Sequence, residues 1–121
     1  MEIIPHHNNT IKTAEISTDK VLINNLDDAL DLIGNIYYQG FDRLILYEKN
    51  IIPSFFDLKT KLAGDVFQKF TQYNMQLVII GDFPKYQSKS LQDFIFESNK
   101  GKQVNFVSRL DEIKNLCQEI S

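Results

Sequence analysis

Cysteine is nearly absent from this 121-residue chain. Cys117 stands alone, so no intrachain disulfide can form. Stability must then come from a core, and the length with 43% hydrophobic residues is enough to build one without staples. Cys117 falls in an apolar helical stripe with Ile113, Leu116 and Ile120, which reads as a buried structural thiol rather than a reactive one. No run approaches the 18 consecutive apolar residues of a membrane span. The opening MEIIPHHNNT has neither a basic nor an apolar leader region, which makes the cytoplasm the expected location. No linker, low-complexity stretch or repeat interrupts the chain, so 1–121 reads as a single domain.

Histidine is scarce as well. His6 and His7 both lie in the first seven residues, which leaves no Ser-His-acid arrangement elsewhere. Adjacent strand residues face opposite ways, so one metal cannot easily take both rings, and they read as strand-end polar groups. The chain has no G-x-S-x-G, C-x-x-C or H-E-x-x-H. Gly81 alone before Asp82 is not a dinucleotide fingerprint. Neither a cofactor nor a metal is expected.

Charge of one sign is also lacking. The net charge is −3, with 4 basic and 8 acidic groups in residues 1–56 but 7 and 5 in residues 57–102. A slightly positive middle on an acidic protein is too weak for a duplex-binding footprint. It suits a solvated surface, or at most one small anion.

What remains is a regular alternation of short apolar runs and amphipathic stretches. Glu2 to His7 and Thr10 to Ser17 read as a hairpin turning at Asn8-Asn9, and Pro5 places the first strand at a sheet edge. The second strand is expected to continue or bulge into Lys20 to Ile23. Asn25 caps a helix to about Tyr38, with Leu26, Ala29, Leu30, Ile33, Ile36 and Tyr37 as its apolar stripe and Gly40 as its stop. RLILY (Arg43 to Tyr47) reads as a central strand. A second helix is expected from Ser54 or Asp57 to about Tyr73, then a strand at Leu77 to Ile80. A third helix spans roughly Ser88 to Asn99, with Ser90 to Asp93 as a capping-box variant. Val104 to Val107 is the last strand, and a final helix starts at Ser108 with Asp111 and runs to Ile120. The order β-β-α-β-α-β-α-β-α predicts an α/β fold with a mixed five-stranded sheet.

Ligands in such folds sit at the carboxyl ends of parallel strands, which directs attention to the ends of RLILY and LVII. Glu48 follows the first and Asp82 the second, so neighbouring parallel strands would put both acids at one edge, with Asn50, Tyr86, Ser88 and Lys89 in the adjoining loops. Lys59 falls near the middle of the apolar face expected for the second helix. A lysine there must snorkel to the sheet edge or find a partner. Carboxylates near a lysine suit acid–base chemistry, and equally suit loop closure by ion pairing and capping. Ser88-Lys89-Ser90 offers N–H groups, hydroxyls and a cation to an anionic group, without the glycines of a phosphate loop.

The blocks DALDLIGNIYYQGFD, FFDLKTKLAGDVFQKFTQY and GDFPKYQSKSLQDFIFESNKG resemble a bacterial domain-of-unknown-function family, numbered 4180, over about residues 25–110. That resemblance implies a family without an assigned activity. The element order also resembles the STAS domain of anti-sigma-factor antagonists. STAS regulators carry a phosphorylatable Ser or Thr in an Asp-Ser-type turn after the third strand. Here IIPSFFDLKT offers Ser54 and Thr60 in a different setting, so phosphorylation control does not carry over with the fold. The expected object is a small cytoplasmic, STAS-like binding or regulatory module for a protein partner or a small anionic ligand, as monomer or homodimer, without nucleic acid or membrane. Its candidate ligand-binding residues are Glu48, Asn50, Lys59, Asp82, Tyr86, Ser88 and Lys89. The alternatives are a small enzyme using Glu48, Lys59 and Asp82, and a structural partner domain of a regulatory complex.

Overall fold

Five short segments rich in branched residues pair into one sheet: β1 (Glu2–Asn8), β2 (Ile11–Ser17), β3 (Arg43–Tyr47), β4 (Gln76–Ile80) and β5 (Val104–Val107). The computed structural model describes residues 2–8 and 11–113. The sheet order is β1-β2-β3-β4-β5, with β1 antiparallel to β2 and every later pair parallel. β1 with Pro5 is at the edge, where a missing N–H costs no ladder bond. This is the α/β class and mixed five-stranded sheet that the sequence pattern predicts.

Between the parallel strands lie α1 (Leu26–Tyr38), α2 (Leu62–Gln72) and α3 (Lys89–Asn99). Side chains alternate across a strand, so Ala14, Ile16, Leu44, Leu46, Leu77, Ile79, Val104 and Phe106 share one face. They form one core with Ala29, Ile33 and Ile36 of α1, Val66 and Phe70 of α2, and Leu91 and Ile95 of α3. All three helices therefore cover the same face, as sequential parallel strands joined by crossovers of one hand require. On the other face Ile45, Val78, Ile80 and Val107 form a second cluster with Ile113, which brings the chain after β5 back across the sheet.

Local signals explain the helix ends. Asn25 caps α1 by accepting from the Asp28 N–H at 2.8 Å. After α1, Gly40 adopts φ +89° while its N–H reaches Tyr37 O and that of Phe41 reaches Ile36 O. After α2, Asn74 adopts φ +53°, with the same pair of bonds from Asn74 to Thr71 O and from Met75 to Phe70 O. Both ends are Schellman motifs, one with glycine and one with asparagine.

Four expectations are corrected. α2 starts at Leu62, not at Ser54 or Asp57. Residues Pro53–Phe56 and Leu58–Thr60 form separate 3-10 turns, and Lys61 at φ +66° breaks the path between them and the helix. α3 is capped by Ser88, whose Oγ accepts from the Leu91 N–H at 3.2 Å, not by a box at Ser90. β2 neither continues nor bulges into 20–23, where Ile23 makes an isolated parallel bridge to Ile51. Tyr37 belongs to the surface, and Leu32 takes its place in the buried stripe of α1. The hairpin turn at Asn9 and the end of the last helix, with Leu116, Cys117 and Ile120, lie outside the described residues. Its first turn is helical at residues 111–113.

Candidate functional site

β3 and β4 run parallel in the register Tyr47↔Ile80, so the residues after them emerge at one edge of the sheet. Glu48 leaves β3 in a 3-10 turn, Glu48–Asn50, and Gly81-Asp82 leave β4 beside it. The Glu48 carboxylate spans the gap between the two strand ends. Its Oε1 accepts from the Asp82 N–H at 3.2 Å, and its Oε2 accepts from the Tyr86 hydroxyl and from Lys85 Nζ at 2.9 Å. Burial pushes the Glu48 carboxyl up. The bonds from Tyr86, Lys85 and the Asp82 N–H outweigh that, and hold it below the usual glutamate range. The same bond acts oppositely on its donor. Burial, the Glu48 hydrogen bond and the charges of Glu48 and Asp82 push the Tyr86 hydroxyl well above the ordinary tyrosine value.

Glycine is required at 81 by close approach. A Cβ there would lie 2.7 Å from Glu48 Cβ and 2.8 Å from its Oε1. The loop that carries Lys85 and Tyr86 is braced by Gln92 of α3, whose Nε2 donates to Phe83 O at 2.7 Å and Tyr86 O at 2.9 Å. Tyr86 also stacks on Phe56 with ring centroids 5.4 Å apart. Asn50 is fully buried and does a different task. Its Oδ1 accepts from the Tyr47 N–H, and its Nδ2 donates to Thr18 O and Lys20 O at 2.8 and 2.9 Å, so it ties the 18–23 loop to the end of β3.

These elements enclose a surface hollow of about 400 Å³. Its apolar part is Val21, Ile51, Pro53 and Phe56. Its polar rim is Glu48, Lys49, Lys85 and Tyr86. Lys49 and Lys85 are absent from the residues proposed on sequence grounds. The same signal was present for both: Lys85 adjoins Tyr86 in its loop, and Lys49 lies between Glu48 and Asn50.

The remaining sequence candidates lie elsewhere or have local work. Lys59 sits exposed on the 3-10 turn Leu58–Thr60 and does not line the hollow, and the cation on Glu48 is Lys85. The Asp82 side chain is exposed while its N–H serves Glu48. Ser88 caps α3, and Lys89 pairs with Asp93 one turn on at 3.2 Å.

A second polar cluster, not anticipated from the sequence, lies on the opposite face of the sheet. Glu15 on β2 is 7% exposed and accepts from the Tyr47 hydroxyl at 2.7 Å, while His6 Nε2 lies 2.8 Å from its other oxygen. Next to it Arg43 Nε donates to Thr13 Oγ1 at 3.0 Å. Burial, then the hydrogen bond and charge of Glu15, pushes the Tyr47 hydroxyl up to about 12. Alternation along IKTAEIS would have put Thr13 and Glu15 on one face, but only the register with β1 and β3 shows their partners.

Among the described residues no group of three or more His, Cys, Asp or Glu is placed to hold a metal ion, and no helix is long and apolar enough to cross a membrane. No curated protein and no solved structure matches the chain. The model of one family, described as a domain of unknown function (DUF4180), matches residues 8–116. That span covers nearly the whole chain, from the end of β1 past the start of the last helix, and the protein belongs to this family.

Proposed function

We propose that this protein is a binding module whose recognition site is the hollow at the carboxyl edge of β3 and β4. The observation that carries the reading is the state of Glu48. Both of its oxygens are engaged by three donors, and it is held ionised below the usual glutamate range. A carboxylate in that state is a fixed structural wall with little tendency to give or take a proton near neutrality, whereas general acid–base work favours a group poised near the working pH. The hollow beside it has the mixture of apolar lining and a few convergent polar groups found in small-molecule sites, at the small end of their range of roughly 300–1,000 Å³. Acid–base chemistry by Glu48, Lys59 and Asp82 draws no support from this arrangement, because Lys59 is outside it. A STAS-like fold and a cytoplasmic location remain part of this proposal. The first rests on the element order alone, the second has no support in the fold, and neither says anything about the ligand.

A crystallographic soak with single-ring fragments of mixed charge tests the reading. Density is expected in the hollow, and Val21→Trp, at an exposed position on its wall, is expected to abolish it. Density confined to other surfaces would overturn the proposal.

A further inference from the structure

Resting on the reading of the hollow as a binding site, we infer that it takes an anionic ligand with an apolar body, its carboxylate or phosphate held between Lys49 and Lys85. The argument counts what the rim still has to offer. Glu48 is consumed, since the Asp82 N–H, the Tyr86 hydroxyl and Lys85 already occupy its two oxygens. The Tyr86 hydroxyl spends its proton on Glu48.

The two lysines differ. Each ammonium carries three donors. Lys49 Nζ makes one contact with Asp19 at 2.9 Å, and Lys85 Nζ makes one with Glu48 at 2.9 Å. Both side chains are more than half exposed, and both line the hollow. Asp19 is itself almost fully exposed and does not line the hollow, so it is a weak competitor for Lys49. The groups with donors to spare are therefore two cations, set beside a single carboxylate that is already bound.

The apolar lining makes the second half of the argument. Ile51 and Phe56 are buried core residues whose edges form part of the hollow, and Val21 and Pro53 are exposed beside them. A bare inorganic ion would leave that lining wet. A ligand with a ring or short chain attached to its anionic group would cover the lining while its charge reaches the two ammoniums, which is the usual division of labour in such sites. Lys85 lies 5.3 Å from the Tyr86 ring centroid, which holds the ammonium over the rim.

The test uses ligands that share a ring and differ in charge, followed by backbone amide shifts of the full chain. Benzoate and phenyl phosphate are expected to shift residues 48–51 and 85–86 at millimolar concentration, and to do so less as salt is raised. Benzamide and benzamidine are expected to bind there more weakly or not at all. Whichever of benzoate and phenyl phosphate binds more tightly tells a carboxylate source from a phosphate source. Lys49→Gln and Lys85→Gln are each expected to weaken benzoate about two- to fivefold, the size of one exposed ion pair, with an otherwise unchanged amide spectrum. Equal binding of benzamidine or benzamide would overturn the anion assignment while leaving the hollow as the site. Inorganic phosphate matching phenyl phosphate would remove the role given to the apolar lining. Unchanged affinity in both lysine variants would also overturn the inference. No shift in the hollow with any of these ligands would sink both this inference and the reading on which it rests.

Discussion

Glu48 and Gly81 constrain one another, and the constraint can be measured. The carboxylate lies over the glycine so closely that a methyl group cannot be added without moving it. Gly81→Ala is therefore expected to destabilise the fold by about 1–3 kcal/mol through overpacking, in a urea denaturation series. The amide signal of Asp82 should shift as its bond to Glu48 is lost. An unchanged midpoint and an unshifted Asp82 would mean that the close approach is not real. At this scale the sequence was partly readable. Glu48 and Asp82 stand out because they follow apolar strand runs, a position that tells which edge they reach, and Tyr86 because it lies in the loop that adjoins them. Lys59 misled because its placement on an apolar face assumed a continuous helix through 57–61, and the backbone at Lys61 is left-handed instead.

Elements explain why that helix could not be read correctly. Phe55 and Phe56 are buried and continue the helical spacing of Ala63, Val66 and Phe70, so hydrophobic pattern alone extends α2 backwards by several residues. A 3-10 turn lines up residues three apart, close enough to the helical spacing that the sequence pattern does not distinguish the two. The sites of strand ends and caps were easier. Asn25 and Gly40 are residues whose side-chain chemistry or backbone freedom fits one position only, whereas two serines two residues apart left the cap of α3 to the structure. Asn50 belongs to the same class of element-joining residues but was read as a ligand contact. Its three bonds to backbone groups of β3 and the 18–23 loop are made at 0% exposure. Asn50→Ala leaves a cavity at a fully buried position and removes the partner of three part-buried backbone groups. It is expected to cost about 1–3 kcal/mol, with faster hydrogen exchange in the Leu22 and Ile23 amides that bond to Asn50 O. A loss under about 0.5 kcal/mol, the range of an ordinary surface substitution, would contradict the assignment of Asn50 as the tie between the two segments.

Across the whole molecule, two Tyr–Glu pairs are built around the end of β3. Tyr47 donates to Glu15 on one face, and Tyr86 donates to Glu48 at the strand ends. The α/β class and the order of strands were legible, because periodicity and caps are local properties. The polar cluster of Glu15, His6 and Tyr47 was not, because it exists only once three strands are in register. Both tyrosines have folded-state values raised above the ordinary 10.0, Tyr47 to about 12 and Tyr86 further. A group raised in this way contributes stability that is fully present below the unfolded value and is lost as pH rises towards the folded one. Stability is accordingly expected to fall between pH 10 and about 12, and to fall less steeply in the Tyr47→Phe/Tyr86→Phe double variant. An identical alkaline slope in wild type and double variant would show that neither hydroxyl is held by its glutamate.

The central claim is that Glu48 is a pinned carboxylate forming the wall of a binding hollow, not a proton-transfer group. The most direct measurement is the carboxyl-carbon NMR titration of Glu48 in the intact protein. Its midpoint is expected below the ordinary value of 4.5, and to rise in Tyr86→Phe, where one donor is gone. Linkage gives the accompanying sign. The stability contributed by a depressed carboxyl is present above its unfolded value and is lost as pH falls through the folded one, so the acid limb of the stability profile should flatten in the same variant. A wild-type midpoint at or above 4.5 would contradict the account and return Glu48 to the list of acid–base candidates.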